Sequence, residues 1–120
     1  MRLKTEGKTP ARVAGVRPET VFAMVAAERL CYAKGVDFVV TSCTEGEHSP
    51  GSRHYMGLAF DMRRHGIPAE WVDGFCAELR SRLGEDFQVI LEPSHIHVQF
   101  SPQRALSGTA EAATDQPING

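Results

Sequence analysis

The chain has 120 residues, 42% of them hydrophobic, enough for one compact domain whose core needs no disulfide or metal staple, so any metal is expected to be functional. Its formal net charge is −2, and its 13 lysines and arginines are scattered along the sequence, which argues against nucleic acid and anionic membrane as partners. Cys31, Cys43 and Cys76 are odd in number and lack a C-x-x-C spacing, which argues against a disulfide framework or thiolate zinc knuckle and suits a reducing compartment.

Residues 1–10 are polar, without the apolar run of a signal peptide, and no stretch reaches membrane-spanning length. A soluble, monomeric protein made in the cytoplasm is expected, one that something else must deliver if it works outside the membrane. From Glu19 to Lys34 the residues are good helix formers, with Pro18 suited to the first turn and Gly35 to the position after the last. Val21, Met24, Val25 and Tyr32 fall roughly along one side of that helix. Asp37 to Ser42 reads as a short strand. Cys43 to Gly57, polar and rich in glycine and proline, reads as a long loop of the kind that carries function.

Leu58 to Met62 alternates, with Leu58, Phe60 and Met62 on one face and Ala59 and Asp61 on the other. Pro68 opens a second helix, in which Val72, Phe75, Cys76, Leu79 and Leu83 recur at helical spacing up to Gly84. Phe87 to Leu91 and His95 to Phe100 read as an antiparallel pair joined at Glu92-Pro93-Ser94. After Pro102 the residues are small, polar and aperiodic. The expected organisation is a domain over residues 1–102 and a flexible tail over 103–120. The fold class is α+β: helices packed on a mainly antiparallel sheet whose other face is an open cleft.

The chemistry sits on that open face. Ile96, Val98 and Phe100 take the core side of the last strand, which throws His95, His97 and Gln99 together onto the other side. Asp61 occupies the matching face of its own strand, and His54 stands seven residues before it. Two imidazoles and a carboxylate can therefore converge as the three protein ligands of a hydrolytic zinc site, one zinc per chain. Glu92 and His95, close to His97 in sequence, are the candidates for moving protons. Singly, each histidine would be read as a surface or core-edge imidazole. Cys43 with His48 suggests a thiol nucleophile, but nothing orients the pair, and a buried cysteine is the simpler reading. His65 reads as a surface turn residue.

Two motifs make the pattern specific. Ser52-Arg53-His54-Tyr55-Met56-Gly57-Leu58-Ala59-Phe60-Asp61 fits S-x-H-x-x-G-x-A-x-D, and His95-Ile96-His97-Val98 fits H-x-H-V. Together they resemble the LAS metallopeptidases: D-alanyl-D-alanine carboxypeptidases, vancomycin-resistance dipeptidases, phage cell-wall endopeptidases and the hedgehog domain. The resemblance runs from about Pro18 to Phe100. It implies that His54, Asp61 and His97 hold zinc, that His95 is a catalytic or transition-state-stabilising histidine, and that Glu92 is the general base.

By the same resemblance His48 lines the cleft; Tyr55, read from its place beside His54, is either a core residue or a substrate-binding candidate whose hydroxyl reaches the cleft. Many family members place the acid three residues before the last ligand, where this chain has Ser94, while Glu92 lies five before. Many also carry an arginine after the first central strand, where this chain reads Cys43-Thr44-Glu45, and Arg53 is a candidate replacement. The implied function is hydrolysis of a D-amino-acid-containing peptide bond in peptidoglycan stem peptides, in the manner of a phage endolysin or carboxypeptidase. The alternative is a non-catalytic, hedgehog-like zinc-binding recognition module.

Overall fold

The computed structural model describes residues 1–6, 10–45, 52–54 and 56–102; the tail proposed for 103–120 lies outside them. In chain order they form β1 (Arg2–Leu3), α1 (Pro18–Lys34), β2 (Val39–Ser42), β3 (Ala59–Arg63), a short 3-10 turn (Ala69–Trp71) leading into α2 (Val72–Leu83), β4 (Phe87–Leu91) and β5 (His95–Phe100). The strands make one sheet in the order β1-β2-β3-β5-β4. Only the β1–β2 pair is parallel, so the sheet is mixed but mainly antiparallel and the domain is α+β. No helix among the described residues is long and apolar enough to cross a membrane.

Both helices pack on one face of the sheet. Their buried side chains, Ala23, Met24, Ala27, Leu30 and Cys31 from α1 and Phe75, Cys76, Leu79 and Leu83 from α2, meet Val40, Phe60, Met62, Val89, Ile96 and Val98 of the strands. Truncating a fully enclosed member such as Leu79, which is 0% exposed, is expected to cost about 2–5 kcal/mol.

Helix α1 turns a different side inward from the one expected. Met24 is buried, but Val21 and Val25 are each 43% exposed and Tyr32 is 87% exposed. The inner face instead carries Thr20, Ala23, Met24, Ala27, Leu30 and Cys31, a mixture of small and large side chains. The helix carries apolar residues around most of its circumference, so hydrophobic periodicity alone does not decide which side faces in. Gly35 ends it in the left-handed region at φ 71°, its N–H bonded back to the last turn.

Two features of the sheet position the open face. The polar N-terminus hides a short edge strand, since Arg2 and Leu3 pair with Val39 and Val40. Between Val40 and Ser42 the β2–β3 register shifts, so that Val40 faces Met62 while Ser42 faces Asp61. Such a bulge re-aims the strand. Here it lies just before Cys43 and sets Ser42 opposite Asp61.

Candidate metal centre

Strand alternation brings the chemistry together as expected. In the β3–β5 ladder Asp61 is directly opposite His97, and Arg63 is opposite His95. His54 enters from a tight turn built by the motif residues around it. Its N–H donates to Ser52 Oγ at 3.1 Å, Gly57 N–H donates to His54 C=O at 3.1 Å, and Leu58 N–H donates to Arg53 C=O at 2.8 Å. The turn is locked to α1, because Gly57 C=O accepts from Arg17 N–H at 2.9 Å and from Thr20 Oγ1 at 2.7 Å.

Gly57 adopts φ 72°. It is required by the approach of another backbone segment: a Cβ built there would stand 2.3 Å from Gly15 O. The close passage is therefore toward Gly15 and Val16.

His54, Asp61 and His97 each offer a donor atom, and all three atoms lie within 4.8 Å of one another. His54 Nε2 is 3.4 Å from Asp61 Oδ1, and His97 Nδ1 is 2.8 Å from the same oxygen. The far side of each ring fixes its tautomer. His54 Nδ1 lies 2.8 Å from Cys43 C=O, which can only accept, so the neutral ring carries its proton there and turns the Nε2 lone pair to Asp61. His97 Nε2 lies 2.8 Å from Gln99 Oε1, with the Gln99 amide nitrogen donating to Gln88 Oε1 at 3.2 Å. A neutral His97 therefore presents its Nδ1 lone pair to Asp61. Two nitrogens and a carboxylate, all electron-rich, face one space, an arrangement that needs a proton or a cation between them. The outer hydrogen bonds are the kind that orient metal-binding imidazoles.

Protonation follows the same geometry. Burial works against the charged form of Asp61, but hydrogen bonds from His54 and His97, then the charges of His54 and His95, outweigh it and hold the carboxyl well below its usual range. Burial also opposes charge on His97. Its hydrogen bonds to Asp61 and Gln99 and the charges of Asp61 and Glu92 win, and its pKa is raised above the ordinary 6.5.

In metal-free protein, the stability contributed by protonated His97 is fully present below 6.5 and is lost as pH rises through the raised folded value. The contribution of Asp61 is present above its ordinary 3.8 and is lost as pH falls through the depressed folded value. Thermal melts in chelator should therefore show stability declining above neutrality. Added zinc should reverse that decline, with an increment that grows with pH as metal replaces the proton. An increment independent of pH would speak against competition at His97.

The other expected site residues are placed less closely. His95 Nε2 lies 3.7 Å from Asp61 Oδ2, and its Nδ1 lies 3.0 Å from Ser94 Oγ, so it flanks the three-donor group on the open face. Glu92 sits in the β4–β5 turn, its N–H donating to His95 C=O at 2.9 Å and its C=O accepting from Arg64 Nη1 at 2.6 Å. It continues the alternation of Gln88 and Ile90, which pair with Gln99 and His97, and its charge reaches His97. Arg53 is half-buried in the turn before His54. His48 and Tyr55 lie outside the described residues.

One residue of this face lies outside both motifs. Arg63, two residues beyond Asp61 and opposite His95, holds its guanidinium 2.8 Å from the exposed Glu6 carboxylate. The same period of two that exposes Asp61 would have found it. Compared with models of protein families, with curated proteins and with solved structures, the chain matches none of them.

Proposed function

We propose that the chain is a zinc-dependent metallopeptidase that hydrolyses a D-amino-acid-containing peptide bond, in the stem peptides of peptidoglycan. The observation that carries this reading is the convergence of His54, Asp61 and His97 donor atoms within 4.8 Å on the helix-free face of the sheet, with His95 beside them. The two motifs support the substrate class by resemblance. His54 Nε2, one Asp61 oxygen and His97 Nδ1 would hold the metal. Zinc bound there would supply Lewis acidity toward the scissile carbonyl and lower the pKa of water.

The remaining work falls to the chain itself. Glu92 takes the proton from the attacking water and returns it to the leaving amine. His95, on the opposite side of the Asp61 carboxylate from His97, donates a hydrogen bond to the oxygen that gains charge during attack. Arg63, now paired with the exposed Glu6 carboxylate, offers a cation to a carboxylate of the substrate. In this reading the chain works as a monomer, is made in the cytoplasm and reaches the wall through a separate lysis protein.

The test is incubation of zinc-loaded protein with purified stem peptides and mass spectrometry of the products. His95→Ala and Glu92→Gln are each expected to lower turnover by about 10²- to 10⁴-fold, the usual worth of a proton-transfer group, while zinc content stays at wild-type level. Absence of cleavage by the zinc-loaded wild type would favour the recognition-module alternative.

A further inference from the structure

Glu45 closes a hydrogen-bonded circuit behind the His54 ring. The residue is only 8% exposed. Its Oε1 accepts from Arg12 N–H at 2.9 Å and Cys43 N–H at 2.8 Å, and its Oε2 accepts from Ser42 Oγ at 2.5 Å. Arg12 C=O in turn accepts from Thr44 N–H at 2.9 Å and from Thr44 Oγ1 at 3.1 Å. Thr44 N–H and Cys43 C=O belong to the same peptide group, and that carbonyl is the acceptor for His54 Nδ1 at 2.8 Å.

The peptide between Cys43 and Thr44 is thus gripped from both sides. Its N–H is spent on Arg12 and its C=O on the ring. Hydrogen bonds aligned this way polarise one another, so the donation to Arg12 makes the carbonyl a stronger acceptor for His54. A stronger acceptor at Nδ1 fixes ring orientation and raises the basicity of Nε2, the nitrogen aimed at Asp61. Glu45 holds both ends of the circuit, Arg12 through its N–H and Cys43 through its own. Burying a carboxylate costs free energy, but the hydrogen bonds from Ser42, Arg12 and Cys43 outweigh it and hold the Glu45 carboxyl below its ordinary range.

We infer that Glu45 is a positioning residue for His54, acting through Arg12 and the Cys43–Thr44 peptide to aim and activate the ring as a metal ligand. This rests on the metal reading above. It also gives the N-terminal segment a role at the site: residues that begin as the edge strand β1 end by bracing a ligand.

The experiment uses the full chain and zinc itself, titrated against a chromophoric chelator, together with ¹⁵N-histidine NMR of metal-free protein to follow the His54 Nδ1 proton. Glu45→Ala should weaken zinc binding by about 10- to 100-fold, the range for outer partners of metal-binding histidines, and Glu45→Gln by less. In both, the His54 Nδ1 proton should exchange faster than in wild type. Leu83→Ala, remote in α2, should lower Tm without changing zinc affinity at a temperature where it is folded, which separates positioning from general destabilisation. If Glu45→Ala does not fold, Glu45→Gln decides. Wild-type zinc affinity and an equally protected Nδ1 proton in the Glu45 variants would overturn the inference. If wild type takes up no zinc, the metal reading fails, and the Nδ1 proton alone judges Glu45: unchanged protection in Glu45→Gln overturns its role.

Discussion

Gly57→Ala is expected to lower Tm by at least about 10 °C and to weaken zinc binding along with it. The residue holds φ 72°, a conformation that costs an L-residue about 1–2 kcal/mol. The added methyl would meet Gly15 O at 2.3 Å and Gly15 C and Val16 Cα at 3.2 Å, backbone atoms that cannot rotate away. Relief requires moving the turn off α1, which breaks the bonds from Arg17 N–H and Thr20 Oγ1 to Gly57 C=O. Strain and overpacking together come to about 2–5 kcal/mol. Because the same turn carries His54, the damage reaches the donor group. Gly66→Ala is the control: its Cβ would have nothing within 4 Å, so the change should stay within about 0.5 kcal/mol. Equal melting of the two variants would refute the packing role assigned to Gly57.

Asp61→Asn should abolish the centre while leaving the fold in place. Asp61 is the hub, with His97 Nδ1 at 2.8 Å, His54 Nε2 at 3.4 Å and His95 Nε2 at 3.7 Å. Asparagine keeps the shape but removes the carboxylate of the three-donor group, and zinc affinity should fall by more than the roughly 10- to 100-fold typical of losing an outer partner. Metal-free protein at neutral pH should also lose about 1.5–3 kcal/mol, the worth of a hydrogen bond to a charged group. Chelator competition and thermal melts check the two parts. A variant that binds zinc within threefold of wild type would mean that Asp61 is not a ligand.

How much of this was readable in the sequence depended on how local the cause was. The alternation of Phe60, Asp61 and Met62, and of Ile96, His97 and Val98, needs no partner to interpret, and the ladder places Asp61 opposite His97 accordingly. The same rule carried one step further reaches Arg63, which no motif highlights. Ser52 and Gly57 are motif positions whose physical reasons emerge only in the fold: one accepts from His54 N–H, and the other fits against Gly15.

Other features depend on partners distant in sequence. The edge strand β1 exists because Arg2 and Leu3 meet Val39 and Val40, not because two residues carry a strand pattern. Glu45 has meaning only once Arg12 is brought back to it. In α1, apolar residues run around most of the helix, and the sheet selects the side with Ala23, Met24, Ala27 and Leu30, each 3% exposed or less. Periodicity alone cannot choose between apolar sides, so Val21, Val25 and Tyr32 read as core when they face outward.

The most direct test is a crystal structure of zinc-loaded protein with anomalous diffraction at the zinc edge. One peak per chain is expected, at about 2.0–2.2 Å from His54 Nε2, an Asp61 carboxylate oxygen and His97 Nδ1, with His54 Nδ1 still on Cys43 C=O and His97 Nε2 still on Gln99. A peak bound through the opposite ring nitrogens, a peak elsewhere, or none at saturating zinc would contradict the assignment.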